Sequence, residues 1–173
     1  VYVYWSRIYR TERAGGVWQT PVELTTESPY QYHKWPAISP DNTKVAFTMG
    51  TTFYPDRIGE ANLDGTGFRE VVTPEDAPED VHGYSLESPS WETGGGLIFE
   101  AAWTAGRAIW RRGSDGAFSP VAEEITGDRS PLVLPDGRIA SIWTSHPDAP
   151  GQGHIKIMAA DGSSYEMLTL PAL

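Results

Sequence analysis

The feature that most constrains this chain is that it repeats itself. Trp35-Pro36-Ala37-Ile38-Ser39-Pro40-Asp41-Asn42 leads into Lys44-Val45-Ala46-Phe47-Thr48. Further on, Ser130-Pro131-Leu132-Val133-Leu134-Pro135-Asp136-Gly137 leads into Arg138-Ile139-Ala140-Ser141-Ile142. A degenerate copy lies between them: Ser88-Pro89-Ser90-Trp91-Glu92-Thr93-Gly94, then Leu97-Ile98-Phe99-Glu100. Each copy predicts a short strand, a tight turn and a second strand. The turn has a mechanism: Pro presets φ, Asp hydrogen-bonds the backbone, and Gly or Asn tolerates positive φ.

Every copy has a second half. Strand-like runs 57–63, 107–112 and 154–159 meet the turns Asp64-Gly65, Asp115-Gly116 and Asp161-Gly162. Another strand-like run follows each, at 68–73, 118–126 and 165–169. Asp-Gly between alternating runs is a strong hairpin signal. Each repeat is therefore four strands, A to D. The N-terminus reads as a partial copy without strand A: B at 1–5, C at 7–13, a turn at Ala14-Gly15-Gly16, and D at 17–25. The closing threonines Thr25, Thr73, Thr126 and Thr169 lie 48, 53 and 43 residues apart. That is the spacing of propeller blades. No long window keeps a helical period without a Gly or Pro interruption.

The pattern resembles the TolB-type propeller repeat, P-x-(W/I/F)-S-P-D-G-x-x-(I/V)-A-F followed by an apolar strand, D-G-x-x and a terminal L-T. Residues 36–47 match with Asn42 for the usual Gly, and residues 131–142 match with Leu134 for Ser. The copy at Pro89 has lost Pro-Asp-Gly. Trp18-Gln19-Thr20-Pro21-Val22-Glu23-Leu24 resembles a strand D variant of the same class. The expected fold is all-β: a β-propeller of four-stranded antiparallel blades, about four of them. The whole of 1–173 reads as one such domain, with blades near 1–28 (partial), 29–75, 83–127 and 128–170. The resemblance implies an extracytoplasmic bacterial setting, periplasmic or secreted. Its motifs specify a fold and not a reaction.

Open propellers expose strand edges, which soluble proteins avoid. Pro171 of Leu170-Pro171-Ala172-Leu173 stands where Pro36, Pro89 and Pro131 stand. A C-terminal strand is therefore one expectation for completing the N-terminal blade. Self-association completing the ring is the other, alongside the reading that the chain is a piece of a larger ring.

Composition excludes several functions. With 13 basic and 23 acidic residues, the chain carries a formal charge of −10. That opposes nucleic-acid binding, which depends on neutralising phosphates. There is no cysteine among the 173 residues, hence no disulfide framework, thiolate metal site or cysteine nucleophile. No apolar run approaches the roughly 18 residues of a membrane helix, so no membrane insertion is expected. No G-x-S-x-G elbow is present. Gly94-Gly95-Gly96 lacks the ending of a phosphate loop and reads as an extended turn.

If strand A is innermost, the short A–B and C–D turns share one face and the long B–C and D–A loops share the other. Long loops on a rigid scaffold are where function concentrates. His33, His82, His146 and His154 all fall in or beside those loops, with Gln31 and Gln152 nearby. Some TolB-type polysaccharide lyases hold a divalent metal with His and Gln, so the resemblance makes these four histidines candidate metal ligands. The competing reading is that they are ordinary loop residues, since the spacing is no ligand signature. Pro74-Glu75-Asp76-Ala77-Pro78-Glu79-Asp80 carries four carboxylates. It reads as a calcium or basic-partner site, or as a solvated connector. Trp5, Trp103 and Trp143 end B strands and read as a sugar-stacking wall or as blade packing.

The leading expectation is a non-catalytic binding or scaffold module with no cofactor, recognising a protein, peptide or glycan on the long-loop face. Its candidate ligand-binding residues are His33, Tyr54, His82, Trp103, His146 and His154. The alternatives are a carbohydrate lyase or hydrolase using the same histidines as ligands or bases, and a propeller accessory to a catalytic domain elsewhere.

Overall fold

The structure, a computed structural model, describes residues 1–4, 6–76, 85–103, 106–121, 127–143 and 154–168. Among these every regular element is a strand. The N-terminal unit contains β1 (Tyr2–Tyr4), β2 (Arg7–Arg10), β3 (Arg13–Ala14), β4 (Val17–Trp18) and β5 (Val22–Glu23). Blade 2 is β6 (Tyr32–Ile38), β7 (Lys44–Gly50), β8 (Arg57–Asn62) and β9 (Arg69–Val72). Blade 3 is β10 (Ser85–Trp91), β11 (Leu97–Trp103), β12 (Gly106–Arg112) and β13 (Phe118–Pro120). Blade 4 is β14 (Asp128–Val133), β15 (Ile139–Trp143), β16 (His154–Met158) and β17 (Tyr165–Leu168). Blades 2, 3 and 4 are four-stranded meanders, each strand pairing antiparallel with the next. The architecture is a β-propeller.

The turns form for the reason their residues imply. Asp41, Asp64, Asp115, Asp136 and Asp161 each accept, through Oδ1, the backbone N–H two residues on, at 3.0–3.1 Å. The intervening residue takes positive φ: Asn42 at 57°, Gly65 and Gly116 at 88°, Gly137 at 86°, Gly162 at 73°. The degenerate turn is closed differently. There Glu92 N–H donates to Gly96 O at 2.8 Å, and Gly95 takes φ 85°.

The N-terminal unit departs from the expected continuous strand D. β4 turns back on β3, and only β5 pairs with β2. Arg13 faces Trp18, but Arg10 faces Val22, so one extra residue sits on the returning strand. Pro21 lies at that step and has no N–H for the ladder. The expected C-terminal closing strand, 170–173, lies outside the described residues.

Packing between blades follows from the two-residue period of a strand. On β7, Val45, Phe47 and Met49 face blade 1 and bury against Ile8 and Leu24. Ala46 faces the other way, into a cluster with Leu86, Leu97, Phe99 and Ala101 of blade 3. Ile98 and Ile109 of blade 3 then meet Ile139 and Met158 of blade 4. The B strands β7 and β11, flanked by blades on both sides, thus bury both faces, which is why these two runs are nearly continuously apolar. Truncating Phe99 to Ala is expected to cost about 3–5 kcal/mol in urea unfolding, while Tyr54→Ala on an exposed loop should stay within about 0.5 kcal/mol.

Candidate functional site

One end of the blades carries the B–C loops. In blade 2 this loop spans residues 51–56 and is pinned at its base. Leu86 N–H donates to Pro55 O at 2.7 Å, and Thr52 Oγ1 donates to Tyr54 O at 3.1 Å. A Cβ on Gly50 would meet Pro55 Cα at 3.1 Å, so the loop folds close against a residue without a side chain. Pinning leaves Phe53 and Tyr54 on the surface at 64% and 69% exposure. Lys34, on β6, reaches across to them. Its Nζ donates to Phe53 O at 2.8 Å and sits 3.2 Å from the Phe53 ring centroid. Tyr32 and Tyr54 approach that ring edge-on, at 6.3 and 6.1 Å between centroids. Partial burial holds the Lys34 ammonium below its ordinary pKa, with the Glu87 charge opposing. The result is an exposed aromatic patch organised around one cation.

Beside the patch, β10 runs between β6 and β14. Each is broken at the same place by a bulge: between Lys34 and Ala37, Glu87 and Ser90, Arg129 and Leu132. At each bulge a residue of positive φ precedes a proline: Trp35 at 47°, Ser88 at 51°, Ser130 at 48°. The ladder is interrupted where Pro36, Pro89 and Pro131 offer no N–H. These three steps line a cavity of about 520 Å³, together with Ile38, Trp91 and Leu132. Its wall is apolar except for the bulge backbone and the serines.

The buried ionisable groups of blades 3 and 4 are spent within their own blades. Glu100, nearly fully buried, accepts from Arg107 and from Ser130 N–H at 3.0 Å. Arg107 also donates to Glu87 at 3.3 Å. Asp128 accepts from Lys156 Nζ and from Ser141 Oγ, both at 2.9 Å. These pairs satisfy charges removed from water within each blade, and the Ser130 N–H bond to Glu100 ties blade 4 to blade 3.

Of the residues singled out from sequence, Tyr54 lies in the exposed patch. His33 does not sit on the exposed face: it is completely buried where blade 1 meets blade 2. Its Nδ1–H donates to Ser6 O at 2.9 Å, and its Nε2 accepts from Ser28 Oγ at 2.8 Å. Both ring nitrogens are therefore occupied, leaving no lone pair for a metal. His154 begins β16 opposite Trp143 and is half-buried. Trp143 packs edge-on against Tyr165 at 5.9 Å. Trp103 ends β11. His82, His146 and Trp5 lie outside the described residues. Among the described residues, no group of three or more His, Asp or Glu is placed to hold a metal ion. In the acidic segment, Asp76 accepts from Thr73 N–H and Oγ1 at 2.9 and 2.8 Å, closing a turn. Sequence reasoning passed over Lys34, Phe53 and Trp35. An aromatic pair at Phe53-Tyr54 in a long loop was the available signal.

No family model matches the sequence, and no curated protein matches it. Solved structures do match in fold. A TolB-type protein from Agrobacterium tumefaciens superposes with TM-score 0.75 at 21% identity, over 97% of this chain and 56% of that one. Puromycin hydrolase gives 0.63 at 15% identity, over 96% of this chain and 28% of that one. Virginiamycin B lyase from Staphylococcus aureus gives 0.58 at 16% identity, over 97% and 50%. The chain thus spans between about a quarter and just over half of these proteins. They share the propeller fold with it.

His33 makes a pH dependence. Burial holds its pKa below the ordinary 6.5, with the Ser6 hydrogen bond opposing. The unfolded chain therefore binds more protons than the fold in the window between the lowered value and 6.5. Stability should be level in this respect above that window and should fall as pH drops through it. His33→Gln should flatten that dependence while lowering stability at pH 8 by about 1–3 kcal/mol, read by urea unfolding across pH.

Proposed function

We propose that this chain is a TolB-like propeller segment that acts as a non-catalytic recognition module, binding a peptide segment of a protein partner on its long-loop face. The observation that carries this reading is the Lys34–Phe53–Tyr54 patch beside an apolar cavity of about 520 Å³. Exposed aromatics next to an apolar cleft are the composition of a binding hot spot. Peptide is favoured over glycan because one face of the Phe53 ring is already covered by the Lys34 ammonium, 3.2 Å from its centroid. That face is not free to stack on a sugar ring. The pairing of Glu100, Arg107, Asp128 and Lys156 among themselves supports a structural use for those charges. An extracytoplasmic location accompanies this reading, by its likeness to TolB-type proteins.

The test is a panel of immobilised peptides and glycans, probed with the wild type and with a Phe53→Ser/Tyr54→Ser double variant. Peptide binding should weaken about 10-fold or more in the variant, at unchanged melting temperature. Binding restricted to glycans would overturn the peptide reading. Polysaccharide cleavage that requires a divalent metal would replace it with the lyase or hydrolase alternative, with His82, His146 and His154 as the candidates to substitute.

A further inference from the structure

The opposite end of the blades, built from the A–B and C–D turns, carries a second cleft. It lies between blades 2 and 3 and encloses about 460 Å³. Its charged lining is Lys44, Arg69 and Arg112 against Asp41 and Glu60. A local excess of cations is notable in a chain of formal charge −10. Both carboxylates are already committed. Asp41 Oδ1 accepts Ser39 Oγ at 2.6 Å, Thr43 N–H at 3.0 Å and Thr43 Oγ1 at 2.8 Å, and so holds its own turn. Glu60, buried on β8, accepts Lys44 Nζ at 2.6 Å and Arg69 Nε at 2.7 Å on a single oxygen, Oε1.

That arrangement leaves donors over. Arg69 spends Nε on Glu60 and keeps its terminal nitrogens, with 61% of its side chain exposed. Lys44 spends one of three N–H donors on Glu60. Arg112 ends β12, and its guanidinium has no hydrogen-bond or ion-pair partner among the described residues. The cleft also has a firm wall. Trp91 separates it from the axial cavity, with its indole N–H donating to Ala37 O at 2.9 Å. Glu60 thus acts as a floor that aims two cations, and Arg112 supplies an uncommitted planar fork. Such a fork matches a carboxylate bidentately.

We propose that this cleft is an anion site that takes a carboxylate, held by Arg112 and Arg69 above the Glu60 floor. It lies at the other end of the blades from the aromatic patch and does not depend on the peptide-binding reading. Two sources present the same chemistry: a small free polycarboxylate, or an Asp or Glu side chain of a protein segment.

The experiment titrates the whole chain with citrate, followed by NMR of the arginine Nε–H signals, against sodium chloride at matched ionic strength. A parallel titration uses an Asp/Glu-rich peptide. The expected result is a saturable shift of the Arg112 signal with citrate that chloride does not reproduce. Affinity should fall about 10-fold or more in Arg112→Gln and recover in part in Arg112→Lys, with melting temperatures unchanged. Tighter binding of the peptide than of citrate would assign the carboxylate to a protein segment; the reverse order would assign it to a small molecule. Shifts equal to those of chloride, or an Arg112→Gln variant that binds both probes as the wild type does, would overturn the proposal.

Discussion

The structure depends on strands that are apolar on both faces. A single blade cannot bury Val45, Phe47 and Met49 on one side and Ala46 on the other. Only neighbours on both sides can. Stacking blades face to face satisfies the inner B strands, and the packing runs from Ile8 and Leu24 through Phe47 and Phe99 to Ile139 and Met158. Stability of this kind is a sum of adjacent interfaces. At the blade 4 end, Ile142, Ile155 and Leu168 lie in register on the face turned away from blade 3 and are 40–48% exposed.

The bulges give the axial cavity its character. Pro at the second position of each bulge removes a ladder donor, and the preceding Trp35, Ser88 or Ser130 takes positive φ to absorb the extra residue. The same device, repeated in three blades, brings three proline steps to one cavity. The side chains around them differ, so a repeated backbone presents an asymmetric lining: Trp35 and Ile38 from blade 2, Trp91 from blade 3, Leu132 from blade 4.

Polar groups divide by depth. Several buried ones are matched within the protein: His33 between Ser6 and Ser28, Lys156 with Asp128, Glu100 with Arg107. Burying any of them unpaired would cost more than the pairing returns. At the two ends of the blades, Lys34 organises aromatics and the Arg112 guanidinium makes no ion pair among the described residues. A rigid β scaffold thus leaves its two rims free to vary in chemistry.

Turn chemistry and period made most of the fold legible in the sequence. Asp-Gly steps act through neighbouring backbone, and strand alternation is a local property, so both can be read along the chain. The four-strand repeat, the turns at Asp41, Asp64, Asp115, Asp136 and Asp161, and the exposed B–C loop of blade 2 all follow from local pattern. The fate of His33 does not. Its neighbours in sequence, Tyr32 and Lys34, face the surface patch, while its ring is turned into the joint with Ser6, 27 residues away. Nor does the role of Lys34, whose partner Phe53 lies 19 residues on. Convergence of Lys44, Arg69 and Arg112 required two blades to meet. A sequence determines which backbone turns and strands its residues favour. Which side chains end up facing one another is decided only when the blades close on each other, because that contact is made across long separations in the chain.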